Sequence, residues 1–265
     1  MHLFDAHNHL QDGRLDAHRE RIVEELPRIG LTRAVVAGSS EEDWENVAML
    51  ARKHPWVLPS FGVHPWYVKE CSAGWRETLE HYLSAFPEAG VGEIGLDRWI
   101  ENPDVDLQVR LFGEHLAIAA RDNRPATIHC LRAWGLLKET LRSSPRPERG
   151  FLLHSYGGPV EMVPSFVKLG AFFSLSPYFL HERKAHQLVT FCSVPVDRLL
   201  LETDAPDMWP PDKINPHPLR DADGNPLNDP ANIDLMYRET AKLRGIAVEE
   251  LAAQLEQNFA HLFCR

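Results

Sequence analysis

The chain has 265 residues, 44% hydrophobic and 25% charged, which excludes a disordered, collagen-like or disulfide-scaffold protein. At this length a chain buries about three quarters of its unfolded surface and needs no staples. One domain spanning 1–265 is expected, and a single α/β barrel of ~250 residues is within range. The formal net charge of −10 excludes a generally basic surface, which counts against nucleic acid unless a local patch or a bound metal supplies positive charge.

No apolar run approaches the ~20 residues of a membrane span. The start Met1-His2-Leu3-Phe4-Asp5 has neither the basic nor the apolar region of a signal peptide. A cytoplasmic chain is therefore expected, with no membrane contact and no obligate protein partner. Cys71, Cys130, Cys192 and Cys264 form no CxxC pair and read as reduced thiols.

Apolar, β-rich runs of strand length recur along the chain, separated by amphipathic stretches. The first, Leu3 to His9, ends in Asp5-Ala6-His7-Asn8-His9. Strand alternation puts His7 and His9 on one face, where two imidazoles can chelate a divalent ion. A helical stretch from Arg19 to Leu26 leads to Arg33–Gly38, and another from Asp43 to Ala51 leads to Val57–Val63. His64-Pro65-Trp66 follows directly. His64 reads either as a substrate-contacting group or general acid, or as a structural turn histidine. The run Gly90–Leu96 carries Glu93 between glycines, and a carboxylate in a buried apolar strand is expensive unless paired or metal-bound.

Leu107, Leu111, His115, Ile118 and Ala119 recur at helical spacing. Ala126–Cys130 follows and carries His129, with Cys130 expected on the opposite face. Arg132 lies just beyond, suited to an anionic substrate group or simply to a helix surface. Phe151–Ser155 carries His154, Ala171–Leu175 is the seventh run, and Arg198–Thr203 the eighth, followed by Asp204. Glu202 shares a strand face with Asp204, as a supporting partner or a strand-end salt bridge. Residues 205–232 hold seven prolines, five aspartates and two basic residues, a long loop suited to a lid. Asp229-Pro230 reads as a helix start, followed by helices over Ala231–Arg244 and Val248–Ala260.

Eight strand–helix alternations imply parallel βαβ units closing into a TIM-type (β/α)8 barrel, regular or distorted, with two C-terminal helices. The alternative is an open doubly wound sheet. In a barrel the C-terminal strand ends converge on one face, which would gather the histidines and carboxylates. The ligand count suggests two divalent ions. His7, His9 and Asp204 would hold one, His129 and His154 the other, with Glu93 between them. Such a set suits zinc or manganese, and magnesium at the carboxylate-rich end. Two bridged ions would acidify a water and clamp the attacking and leaving oxygens of a hydrolysis. Asp204 could then pass the nucleophile's proton to the leaving group.

The runs FDAHNHL, FGVHPW, GEIGLD, ATIHC with Gln108 and Phe112 before it, LLHSYGG, LLLETDAP and NDPANI, and the ending QNFAHLF, resemble the TatD family of metal-dependent hydrolases over nearly the whole chain. The resemblance implies a barrel, a divalent-metal site on His7, His9, Glu93, His129, His154 and Asp204, and phosphodiester hydrolysis, typically of DNA. Three departures stand out. Arg98 and Trp99 follow GLD where the family usually has an aromatic directly. Arg132 comes one residue later than the family's arginine. The segment Leu219–Pro226, usually basic, is mainly acidic, and an acidic lid would repel a phosphate backbone.

The leading functional expectation is a 3′-end exonuclease-like deoxyribonuclease with catalytic Glu93, Asp204, His64 and Glu202, and with Arg132 and Trp66 on the substrate. Trp99, Trp134 and Trp209 are further candidates for stacking on bases. The alternatives are hydrolysis of another ester (an aminoacyl-tRNA ester, a lactone or a small phosphoester) and a catalytically silent binding protein.

Overall fold

The computed structural model describes residues 1–264. Eight strands form one sheet in sequence order: β1 (Leu3–Asn8), β2 (Leu31–Ala37), β3 (Val57–Phe61), β4 (Gly90–Asp97), β5 (Ala126–Leu131), β6 (Phe151–Leu153), β7 (Ala171–Leu175) and β8 (Leu199–Leu201). Every paired neighbour is parallel. Between them run α1 (Arg19–Arg28), α2 (Trp44–Lys53), α3 (Trp75–Ala85), α4 (Val105–Arg121), α5 (Trp134–Ser143), α6 (Val163–Lys168) and α7 (Ala185–Ser193), and α8 (Ile233–Arg244) and α9 (Val248–Phe263) follow. This is the expected TIM-like barrel rather than the open sheet.

The last seam closes irregularly. Asp204 N–H donates to the His7 carbonyl at 2.9 Å, and His9 N–H to the Ala205 carbonyl at 2.7 Å. One step below, the Asp5 carboxylate replaces a ladder carbonyl: it accepts from Thr203 N at 3.0 Å and Thr203 Oγ1 at 2.6 Å. The barrel is thus stitched shut by a side chain beside two candidate ligands.

Strand alternation sorts the barrel interior into layers. Phe4, Ala6, Val35, Leu58, Leu152, Phe172 and Leu200 form one apolar cluster with Phe259, Leu262 and Phe263 of α9. The C-terminal helix therefore plugs one end of the barrel. Two residues further along their strands, Leu152 gives way to His154, Phe172 to Ser174, and Leu200 to Glu202 and then Asp204. Apolar filling at one end and polar side chains at the other follow from the period of two. The larger cluster, including Val36, Phe61, Val91, Ile128 and Phe173, packs against the helices.

Several strands are shorter than their sequence runs. β3 stops at Phe61, β6 at Leu153 and β8 at Leu201. Ser155 (φ 43°) and Asp204 (φ 53°) adopt left-handed backbone, which breaks a ladder. His154 and Asp204 thus stand just beyond their strands, in the first residues of the loops.

The proline-rich segment differs more. It holds a small antiparallel hairpin of β9 (Pro218–Arg220) and β10 (Pro226–Asn228). Its acidic turn is self-contained: Asp221 accepts from Asp223 N at 2.9 Å and Asn225 N at 2.8 Å. The hairpin and its flanks lie on α1, through His18 to the Arg220 carbonyl at 3.1 Å and Arg21 to Asp229 at 2.6 Å. It is no acidic lid. Asp229 does cap the next turn, accepting from Ala231 N at 2.9 Å, with Pro230 in its first position.

Away from the strand ends, His115 of α4 is fully buried and stacked on Trp75 at 4.3 Å. Burial pushes its imidazole down to about 4, although its bond to the Leu111 carbonyl favours the charged form. The unfolded chain takes up this proton at the ordinary value of 6.5. The stability from the neutral ring is therefore complete above 6.5 and lost as pH falls toward 4. The difference is about 3 kcal/mol. Urea unfolding between these limits is expected to show a shallower pH dependence in His115→Gln than in the parent chain, and equal slopes would contradict this.

Candidate metal centre

Glu93 is the hub of the polar end and only 3% exposed. Its two oxygens face different groups. Oε2 lies 3.5 Å from His7 Nε2 and 3.2 Å from His9 Nε2. Oε1 lies 3.1 Å from His129 Nδ1, 2.8 Å from His154 Nε2 and 3.3 Å from His64 Nε2. Asp204 Oδ1 joins the first group, 3.5 Å from His7 and 3.7 Å from His9. The side chains assemble into one cluster with two halves, around one carboxylate. The register irregularities in β1 (Asp5 to Asn8) and β4 (Val91 to Ile94) each bracket a member, His7 and Glu93. Bulges of this kind re-aim side chains beside active sites.

Neighbouring groups fix the rings. His9 Nδ1 donates to the Ala37 carbonyl at 2.8 Å, which leaves Nε2 for the centre. His154 Nδ1 faces Glu202 Oε1 at 3.7 Å, and the Ser174 hydroxyl donates to the other Glu202 oxygen. His129 Nε2 lies 3.2 Å from Asp97 Oδ2. His64 is different: its Nδ1 accepts from Trp66 N at 3.2 Å, so the neutral ring carries its proton on Nε2, toward Glu93.

The electrostatics are those of a cation-deficient pocket. Burial would raise the Glu93 carboxyl, yet the surrounding imidazoles hold it well below the carboxylate range. Burial would lower His9, but Glu93 and Asp204 lift it to about 9. His129 is raised by Asp97 and Glu93 against the same burial penalty, and His154 is held well above its ordinary value by Glu93 and Glu202. His7 and His64 go the other way, with burial the largest cause, His64 to about 4. Burial lifts Asp204 to about 7, with Glu202 adding to it and His154 opposing. Protons here hold the place that metal charge takes in a loaded site.

A cavity of about 760 Å³ opens over the cluster. From residues 205–232 it takes Asp207, Met208 and Trp209 in its wall, and nothing from the hairpin. Asp207 is matched by a bidentate pair with Arg14, at 3.0 and 2.8 Å. Trp66 lines this cavity, but Arg132 does not; it follows the lining residue Leu131, with its guanidinium 3.5 Å from the centre of the Trp99 ring. Cys130 packs in the core, its thiol raised by burial, and also reaches the cavity wall. Trp134 does not face the cavity: it packs edge-on against Tyr156 at 4.7 Å.

Asp97 and Asp5 are the site residues that sequence reasoning missed. Asp97 was within reach, because it stands four residues after Glu93 on the same strand and hence the same face.

The family model described as TatD related DNase matches residues 4–264. The chain belongs to the TatD family. It is 28% identical over 263 residues to the 3′-5′ ssDNA/RNA exonuclease TatD of Erwinia tasmaniensis, covering 98% of this chain and 99% of that protein. It is 27% identical over 261 residues to the uncharacterized metal-dependent hydrolase YjjV of Escherichia coli, covering 98% and 96%. The crystal structure of that TatD homologue superposes with a TM-score of 0.88 at 25% identity, over 98% of this chain and 97% of the other. A TatD-family hydrolase of Entamoeba histolytica shares the fold, with a TM-score of 0.84 at 18% identity over 100% and 99%. The chain is thus a metal-dependent hydrolase of the TatD family, and its clustered histidines and carboxylates are groups that could hold divalent metal. Among the described residues no helix is long and apolar enough to cross a membrane.

Proposed function

We propose that this hydrolase is a phosphodiesterase acting on nucleic-acid ends, most simply a 3′-end exonuclease-like deoxyribonuclease. The observation that carries the reading is Glu93, which turns one oxygen to His7 and His9 and the other to His129 and His154. That donor set fits two divalent ions. His7, His9 and Asp204 would hold one, His129 and His154 the other, and Glu93 would serve both. The set contains no thiolate, so zinc or manganese suits it. Bound there, the ions would supply Lewis acidity toward a phosphoryl oxygen and the positive charge that the chain lacks.

The remaining work falls to named side chains. Asp204, at the edge of the cluster beside His7 and His9, is placed to take a proton from the attacking water and return it to the leaving oxygen. Burial holds His64 below its ordinary range, and its Nε2 proton is turned to Glu93, so it serves to orient that carboxylate rather than as a proton source. Glu202 positions His154 through the ring nitrogen that faces away from Glu93. Trp66, beyond β3, and Arg132, just beyond β5, contact the substrate.

Hydrolysis of another ester keeps only the displaced Arg132 as its motive, because the acidic segment lies on α1. The test is end-labelled single-stranded DNA incubated with chelated protein, with manganese, magnesium or zinc added back singly. Laddered products are expected with metal and none without. Intact DNA with every ion, in protein shown to have loaded metal, would turn the reading to a different ester.

A further inference from the structure

The mouth of the cavity is uneven. On one side stand Asp12, Glu42, Asp43 and Asp207, and Arg14 is occupied by Asp12 and Asp207 together. The opposite side, where β3, β4 and β5 end, exposes large apolar side chains. Trp66 is 52% exposed, Trp99 58% and Leu131 37%. Scattered single apolar residues are ordinary on a surface, but these gather at one rim, and Trp66 and Leu131 also line the cavity over Glu93.

Asp97 accepts from the Trp66 indole Nε1 at 2.7 Å and from the Trp99 backbone N–H at 2.6 Å. The same carboxylate faces His129 of the centre at 3.2 Å. One buried group therefore ties the Trp66 ring, and the backbone that carries Trp99, to the cluster. Trp66 also meets His64 edge-on, at 5.1 Å between ring centres. On Trp99 lies the Arg132 guanidinium, 3.5 Å from the ring centre. Arg132 makes no ion pair among the described residues, unlike Arg14. Its backbone is left-handed at φ 56°, a cost that persists where surrounding structure demands it.

We infer that Trp66, its indole held by Asp97, and the Arg132-capped Trp99 form a subsite for nucleobases flanking the scissile bond, with Arg132 available to the adjoining phosphate. Flat exposed rings stack on any base. A guanidinium lying on an indole presents a second flat, cationic surface. Asp97 acts as a positioning residue for the Trp66 ring. The inference rests on the nucleic-acid reading above and adds to it the recognised group.

The test is affinity on the metal-loaded protein, with short oligodeoxythymidine carrying phosphorothioate linkages against turnover, and an abasic strand of equal length and charge. The parent chain is expected to bind the base-bearing strand about 5- to 150-fold more tightly, the range for stacking one base. Trp66→Ala is expected to lose most of that ratio and Trp66→Phe to retain it, with metal content and circular dichroism unchanged in both. Trp99→Ala is expected to weaken both strands, because Arg132 then loses its support. Equal affinity for the two strands in the parent chain would overturn the subsite while leaving a phosphate-binding nuclease. A retained ratio in Trp66→Ala would also overturn it. Binding of neither strand would remove the subsite together with the nucleic-acid reading.

Discussion

Glu93→Ala is expected to lose bound metal and hydrolytic activity together, in a barrel that still folds. The carboxylate is the group shared by both halves of the cluster, with one oxygen toward His7 and His9 and the other toward His129, His154 and His64. Removing a mere supporting partner of a ligand costs about 10–100-fold, so loss of the shared group should exceed that range. The fold should survive because the Glu93 side chain takes no part in the strand ladder. Its backbone N–H still donates to the Gly38 carbonyl, at 2.9 Å. The gap left by the missing CH2 and carboxylate lies at the floor of the cavity, where water can enter. Elemental analysis, circular dichroism and turnover on one preparation would check all three parts. Retained metal-dependent turnover would sink the assignment of Glu93, and a collapsed barrel would show that the carboxylate has a structural role as well.

The same cluster shows why some of this protein was legible in its sequence. His7, Glu93, His129, His154 and Asp204 each close or follow a run of apolar, β-rich residues. Parallel strands in sequence order bring such ends to one face whatever the loops do. The pattern therefore carried both the barrel and the meeting of those side chains. What it could not carry was the partnership of residues far apart in the chain. Asp97 matters because the Trp66 indole, the Trp99 backbone N–H and His129 all meet at it; its spacing from Glu93 gives its face, but not those partners. Asp5 closes the barrel through Thr203, a contact set by the last seam alone. The acidic segment misled for a related reason. Charge density can be counted from sequence, but Asp221 binds its own turn and the hairpin lies on α1, so the counted charge is not at the mouth. Three-residue strands interrupted by proline gave no periodicity from which to place them.

Gly95→Ala is expected to destabilise the barrel by about 3–5 kcal/mol, from an overpacking cost of ~1–3 and a backbone cost of similar size. Gly95 pairs with His129 across β4 and β5 and has φ 146°, a conformation that L side chains rarely adopt. A Cβ there would lie 2.0 Å from the His129 carbonyl oxygen, 2.9 Å from its carbon and 3.0 Å from its nitrogen. All three are backbone atoms in a central strand, so no rotamer change relieves the contact. β5 must move, and His129 with it, which ties this glycine to the metal centre as well as to the fold. The melting temperature should fall by about 10 °C, and the affinity for metal should drop alongside. Gly113→Ala is the matched control. It lies within α4, nothing stands within 4 Å of its added Cβ, and helix propensity predicts a gain of about 0.5–1 kcal/mol. Opposite shifts in the two variants would establish that close strand approach, and not glycine content, holds β4 against β5. A Gly95→Ala protein with parental melting and metal content would show that the two strands part easily, and that His129 is held by Asp97 alone.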